Sequence, residues 1–440
     1  MSDPIFQLIT DEEQRQIEMI GLIPSENHLP PQVANVLSSC LSSKYAEGYA
    51  GRRYYEGNQL IDKIELMAIG RIKELFQVPY VNVQPHSGSP ANTAVQFALL
   101  EPGDTIMGLS LGSGGHLTHG HPKVTFSGKY FNSIQYHVNE EGRIDYEALR
   151  ALAIEHKPKL LIAGTTSYPF ILDFAKFREI ADEVGAWLLA DISHITALVI
   201  GGEHPSPIPY ADVIMSTTHK TFRGPRGAFI LVTEQGLAKD SKLGAKIDKA
   251  IIPGLQGGPH NASVAGIAIA AQLAAQPNFK IYAQQVKKNS VTLAQSLMDN
   301  GLKLVGDGTE NHLMVVDLIP YSIGLGTQVA FALDIAGIYA NRNAIPHEPG
   351  SPFYPSGLRL GTPLVTTRGM KEAEMVKIGA WIAKVVEHVK GETLPTERLE
   401  RRAFINAFKE SITDDSYLQS IRQEVKDVAS QFPLFQEDVG

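Results

Sequence analysis

Asp191 closes the apolar run Trp187-Leu188-Leu189-Ala190, and Lys220 follows the next strand-like segment, Asp212 to His219. Consecutive strands of an open α/β sheet would bring both residues to one edge, the edge at which ligands bind. A lysine that forms an imine must be partly desolvated and near other cations to lower its pKa, and Arg223 and Arg226 lie within six residues of it. A carboxylate at depth suits the protonated pyridine nitrogen of pyridoxal phosphate, which must stay cationic to act as an electron sink. The plainer reading makes Asp191 a helix cap and Lys220 a solvated cation. Their pairing at one sheet edge favours the cofactor.

Gln84-Pro85-His86-Ser87-Gly88-Ser89-Pro90-Ala91-Asn92 lies between a strand and a helix whose apolar face includes Ala94, Val95, Ala98 and Leu99. Its small residues let backbone N–H groups and hydroxyls reach a phosphate at the positive end of that helix. It lacks G-x-x-x-x-G-K-[ST], so it is not a Walker loop, and an N-capped helix is the alternative. Leu111 to His121 is not a dinucleotide fingerprint, because Leu117 stands where the last glycine would be. A metal site of His116, His119 and His121 has no accompanying cysteine or carboxylate and fits no helix face, so no metal is expected. A glycine-flanked His116 suits stacking on a flat aromatic cofactor; His119 and His121 have no assigned role. Arg359 alternates with apolar residues as a buried strand arginine would, which demands either a substrate carboxylate or an internal ion pair. Lys44 to Gly57 gathers Tyr45, Glu47, Tyr49, Arg52, Arg53, Tyr54, Tyr55 and Glu56 in a glycine-broken loop. Such a loop could handle protons or form an amphipathic interface.

The elements that must position these residues follow a doubly wound rhythm. Strand-like runs at Tyr80–Gln84, Thr105–Leu109, Leu160–Gly164, Trp187–Asp191, Asp212–Thr217 and Ala228–Val232 alternate with helical spacing, as in Asp145–His156 and Phe174–Val184. An Ala-rich helical pattern runs from Ala262 towards Met298. A second rhythm then begins with strand-like His312–Leu318 and helix-like Gln328–Ile335, which places a boundary near 280. The tail from Gly391 is richer in charge, and Tyr417–Phe432 reads as an amphipathic helix. The expected organisation is an arm over 1–50, a large α/β domain over 51–280 and a smaller domain with a helical tail over 281–440.

Lys plus Arg is 39 against 47 for Asp plus Glu, a net charge of -8 that advertises neither nucleic acid nor an anionic membrane as a partner. The one cysteine, Cys40, can form no internal disulfide. Met1-Ser2-Asp3-Pro4 has no signal-peptide pattern, and the most apolar stretch, Ala186–Ile200, is broken by Asp191 and His194. A cytoplasmic location is the expectation.

Together the segments resemble serine hydroxymethyltransferase. The matching strings are Pro24 to Asn27, Lys44 to Gly57, Asn82 to Asn92, Gly114 to Gly120, Asp191 to His194, Thr217 to Thr221 with Arg223 to Gly227, Gln256 to Pro259, and Ser351 through Pro363, in order. The resemblance implies a fold-type I pyridoxal phosphate enzyme: α/β, with a large mostly parallel-sheet domain and a smaller C-terminal α+β domain. It implies a homodimer or dimer of dimers with shared active sites, the arm at the interface. Lys220 would form the internal aldimine, Asp191 pair with the pyridine nitrogen and His116 stack on the ring. Thr166, His194 and Thr217 would lie around the ring, while Ser87, Gly88, Ser89, His219 and Arg226 would hold the phosphate side. Tyr45 and Gly257 would complete the phosphate cup from the neighbouring subunit. Arg359, helped by Ser25, would hold the amino-acid carboxylate, with Glu47 the proton-transfer group and Tyr54 and Tyr55 beside it. Leu111, Gly115, Leu117, Asn343, Ser351, Pro352 and Phe353 match the folate site.

The implied reaction converts serine and tetrahydrofolate to glycine and methylenetetrahydrofolate. A folate-independent aldolase for threonine-like substrates or α-methylserine, and a catalytically silent relative, are the competing readings. The chain departs from the family pattern at Gly21, where glutamate is usual, and at Glu56, Asn58, Gln59, Thr196 and Ala197.

Overall fold

The computed structural model describes residues 3–435; the first two and last five residues of the expected terminal domains lie outside them. The chain forms two compact units, Asn27–Gln284 and Met1–Glu26 with Gln285–Gly440. The division differs from an arm over 1–50, for a local reason. Ile20–Gly21 pairs in parallel with Ile338–Tyr339, and the Arg368 guanidinium donates to the carbonyls of Gln16, Ile17 and Met19, so the first segment is hydrogen-bonded into the second unit. Residues 27–50 belong to the large unit.

The large unit carries a seven-stranded sheet: β1 (Tyr80–Asn82), β2 (Thr105–Leu109), β3 (Asn132–Tyr136), β4 (Leu160–Gly164), β5 (Trp187–Asp191), β6 (Val213–Thr217) and β7 (Ala228–Val232). Their order is β1-β7-β6-β5-β4-β2-β3, with only β7 antiparallel to its neighbours. Every residue of β4, β6 and β7 is buried, which is why these strands read as unbroken apolar runs: helices cover both faces. β1 stops before the expected Gln84 because the Asn82 side chain accepts the Gln84 N–H at 2.9 Å and turns the chain away. β3 escaped the sequence reading, since an edge strand written Asn-Ser-Ile-Gln-Tyr has no apolar run to betray it.

The crossover helices Tyr146–His156 and Phe174–Val184 begin at Asp145 and Asp173, whose carboxylates accept the first free N–H groups. Their 3.6-residue spacing buries Leu149 and Ala153 in one, and Phe174, Phe177, Ile180 and Ala181 in the other. Each such aromatic or large aliphatic residue contributes roughly 1.5–3 kcal/mol. The single pattern expected from Ala262 to Met298 is two helices, Asn261–Ala274 and Pro277–Asp299. Pro277 lacks the N–H that would continue the first helix, and its fixed φ starts a second.

The small unit is built on an antiparallel sheet of β8 (Lys303–Leu304), β9 (Leu313–Asp317), β10 (Asn341–Asn343) and β11 (Gly357–Gly361), in the order β8-β9-β11-β10. Its core joins Leu358 and Leu360 of β11 to Trp381, Ile382 and Val385 of the helix Glu372–Val389 and to Leu418, Ile421 and Val425 of the final helix, Ser416–Ala429. Gly21 belongs to this packing. A Cβ there would lie 2.3 Å from the Tyr339 hydroxyl and 2.6 Å from Leu364, so the glutamate usual in the family has no room. Among the described residues no helix is long and apolar enough to cross a membrane.

Candidate active site

Five parallel strands, β1, β2, β4, β5 and β6, deliver their following loops to one edge of the large sheet. Those loops enclose a cavity of about 230 Å³ lined by Ser87, Gly88, Ser89, Asn92, His116, Thr165, Thr166, Asp191, Ser193, His194, Thr217, His219, Lys220 and Arg226. Eleven of these fourteen are the residues singled out for the cofactor, drawn from across nearly 140 positions of sequence. Asn92, Thr165 and Ser193 had no assigned role. Asn92 and Ser193 stand inside segments already quoted, and Thr165 directly follows β4, where adjacency to a strand end was the signal that could have found it.

Asp191 is buried and does not cap a helix: the helix Thr196–Gly201 that follows has Ile195 at its N-cap. Its Oδ2 accepts from Asn92 Nδ2 and His119 Nε2, both at 2.9 Å, and its Oδ1 from the Ser193 N–H at 3.1 Å. Burial alone would push its pKa up; the His119 hydrogen bond, Ser193 and the charge of Lys220 outweigh it and hold the carboxyl well below the usual range. Gly164, at the end of β4, makes this possible, since a Cβ there would lie 2.6 Å from the Asp191 Cβ.

Ser87 stands at the N-cap of the helix Gly88–Leu99 without making the side-chain capping bond, so its hydroxyl is left to the cavity wall. Gly88 is required there: a Cβ would lie 2.5 Å from Thr217 Cγ2. Two buried polar atoms on this wall, Thr217 Oγ1 and His219 Nδ1, have no protein partner. Such orphans are rare and ask for a ligand. Burial, with Lys220 and Arg226 beside it, pushes His219 down to about 4, so its ring is neutral at pH 7. A polar cavity with a buried anion at one wall, a lysine, and hydroxyls at a helix N-terminus fits pyridoxal phosphate in charge and in donor set. The departure at Thr196 is absorbed locally, where its hydroxyl donates to the Ile192 carbonyl at 2.8 Å and meets Ser216.

Other expected residues do not line this cavity. Tyr45, Glu47, Tyr54, Tyr55 and Gly257 form a second cluster in the same unit. The Tyr55 hydroxyl accepts the Glu47 N–H at 2.9 Å, the Tyr45 and Tyr55 rings lie 6.5 Å apart, and a Cβ on Gly257 would stand 3.4 Å from Glu47 Oε1. Arg53 anchors the loop from below, pairing with Asp62 at 2.8 Å and buried Glu65 at 2.9 Å while donating to the carbonyls of Ala46 and Gly48. The base of the loop is fixed, while Tyr45 and Tyr54 are exposed. Leu111 and Leu117 are exposed after β2, and Gly115 between them is buried, its Cα facing the Leu109 carbonyl too closely for any side chain.

In the small unit, Arg359 on β11 is 8% exposed, and its Nε donates to Asn341 Oδ1 at 3.0 Å. Burial brings its pKa down to about 10, so it is charged at pH 7. Ser25 is half-buried, the Asn343 amide bonds the Ala344 carbonyl, and Ser351 bridges to Tyr354 in a turn that leaves Phe353 exposed.

Comparison with known proteins gives a consistent result. The family model described as serine hydroxymethyltransferase matches residues 1–382. A relative named serine hydroxymethyltransferase from Desulfotalea psychrophila is 51% identical over 98% of this chain and 94% of its own. One of the same name from Legionella pneumophila (strain Lens) is 52% identical over 89% of this chain and 92% of its own, and one from Halorhodospira halophila 45% identical over 97% and 95%.

Proposed function

The chain belongs to the serine hydroxymethyltransferase family, and from that footing we propose that it transfers the hydroxymethyl group of serine reversibly to tetrahydrofolate, giving glycine and 5,10-methylenetetrahydrofolate. The observation that carries the reading is the cavity itself: Asp191 held ionised, Lys220 on the same wall, and the unspent Thr217 and His219 atoms.

When bound, pyridoxal phosphate supplies the electron sink for cleavage of the serine Cα–Cβ bond. Lys220 provides the amine that holds the cofactor covalently, and Arg226 keeps a second cation beside it. Asp191 would keep the pyridine nitrogen protonated, and His116 would lie against the ring. Ser87, Gly88 and Ser89 bind the phosphate with hydroxyls and backbone N–H groups, and His219 and Thr217 supply further polar contacts on that wall. Thr166 and His194 bound the ring oxygen side. Arg359 and Ser25 would hold the amino-acid carboxylate. Glu47, with Tyr54 and Tyr55, moves the proton at the hydroxymethyl oxygen. Leu111, Gly115, Leu117, Asn343 and the turn Ser351-Pro352-Phe353 receive the folate.

The working unit is a homodimer, or a dimer of dimers, in the cytoplasm. Support for the dimer is the second cluster: Tyr45, Glu47 and Gly257 do not line their own chain's cavity, and they sit beside a second cavity of about 540 Å³ that includes Lys44, Tyr45 and Gly258. Exposed Leu60, Leu66 and Met67 on the helix Gln59–Phe76 add apolar surface for the partner. In this dimer Tyr45, Glu47 and Gly257 serve the partner's cavity, and residues 1–50 form part of the interface. The test is glycine formation from serine by purified protein, with and without tetrahydrofolate. Turnover that requires folate supports the transferase; equal turnover without it overturns the folate assignment.

A further inference from the structure

His119 is fully buried, and its imidazole is held at both nitrogens. Nε2 lies 2.9 Å from Asp191 Oδ2, while Nδ1 faces the His116 N–H at 3.4 Å. An Nδ1 that accepts leaves the proton on Nε2, so the ring is a neutral donor to the carboxylate. Asn92 gives one N–H to the same Oδ2 at 2.9 Å and the other to Thr118 Oγ1 at 2.8 Å. The Thr118 hydroxyl in turn stands 2.8 Å from His116 Nδ1, and the Thr118 N–H donates to that nitrogen at 3.2 Å. The bonds close a circuit: Asp191, Asn92, Thr118, His116, His119 and back to Asp191.

The slot for His119 is cut to size. A Cβ on Gly108 would lie 2.2 Å from the His119 carbonyl oxygen, and one on Gly164 would lie 2.9 Å from its Cε1. The circuit also determines which oxygen is left for a ligand. A carboxylate oxygen has two lone-pair sites. Those of Oδ2 are taken by Asn92 and His119, while Oδ1 has spent one on Ser193 and keeps the other.

We propose that His119 is a positioning residue: as a neutral Nε2–H donor it fixes the rotation of Asp191 so that Oδ1 faces the pyridine nitrogen, while Asn92 and Thr118 tie the same carboxylate oxygen to the ring of His116. The proposal rests on the pyridoxal phosphate reading above. The anion at the ring nitrogen and the imidazole on the ring are thus joined by one hydrogen-bond circuit.

The test compares His119→Leu, which removes the donor at similar volume, with His119→Gln, whose amide N–H can replace it. The readouts are the dissociation constant of pyridoxal phosphate and the pH at which the visible absorbance of the lysine-bound cofactor titrates. A hydrogen bond to a buried charge predicts weakening by at least about tenfold in His119→Leu with a displaced titration, and recovery to within about threefold in His119→Gln. Asn92→Ala removes the second donor to the same oxygen and must weaken binding likewise; it carries the test alone if His119→Leu does not fold. Unchanged affinity and titration in His119→Leu, or in Asn92→Ala, overturn the proposal. Failure of the unaltered protein to bind pyridoxal phosphate would instead overturn the underlying reading.

Discussion

Asp191 is buried and takes three N–H donors, while Tyr45 and Tyr54, in the same unit, are 68% and 65% exposed. The cavity that holds Asp191 is built by loops from five strands of one chain, and its side chains are oriented by their own neighbours. The Tyr45–Gly57 loop is fixed at its base by Arg53, yet Tyr45 and Tyr54 face outward. Cofactor binding needs preorganisation in a polar but sheltered cavity. A segment that serves a second subunit must instead leave its reactive groups on the surface until the partner covers them. Under the proposed dimer the two regions would be halves of different sites.

The sharpest way to break that comparison is to damage each half separately. Lys220→Ala should abolish both turnover and the visible absorbance of bound cofactor; retained absorbance would remove Lys220 from its role. Glu47→Gln should keep the absorbance and lose about 10²–10⁴ in serine turnover. Neither variant alone is expected to work, but mixed subunits should. With random reassortment about half of the dimers are hybrids with one intact site of two, so about a quarter of the original activity should return. No recovery on mixing would mean that Glu47 serves its own chain.

A smaller effect is expected at the base of the loop. Arg53→Met leaves Glu65 buried without its cation, at a cost of about 3–5 kcal/mol in the urea unfolding of the apoprotein. A cost under about 1 kcal/mol would show that the loop is held by something else.

The smallest effect concerns pH and the cavity alone. His219 titrates at about 4 when folded, against about 6.5 in an unfolded chain. Between these values the unfolded chain binds more protons, so the apoprotein should lose stability as pH falls from about 6.5 to about 4. His219→Gln should flatten that part of the profile, and an unaltered slope would place the titration elsewhere.

The strands of the large unit were readable because burial on both faces writes them as continuous apolar runs, and Thr105–Leu109, Leu160–Gly164, Trp187–Asp191 and Ala228–Val232 end where the reading ended them. The reading missed β3, whose polar edge carries no such signature, and ran two helices together across Pro277. It also left His119 without a role, although its Nε2 lies 2.9 Å from Asp191 Oδ2.

Residue types and periodicity were enough to identify the fold class, and motif resemblance the family, because backbone pattern and motif spacing are local properties of a chain. Which of those residues share one wall was decided by tertiary structure. Parallel strands bring Ser87, Asp191 and Lys220 together across long sequence gaps, while the antiparallel Gly48–Tyr49 and Arg52–Arg53 ribbon holds Glu47 in a separate cluster. The donors to Asp191 likewise come from the helix Gly88–Leu99, the loop after β2 and the backbone just beyond β5. Sequence spacing carries no trace of such a meeting, since hydrogen bonds depend on distance in space.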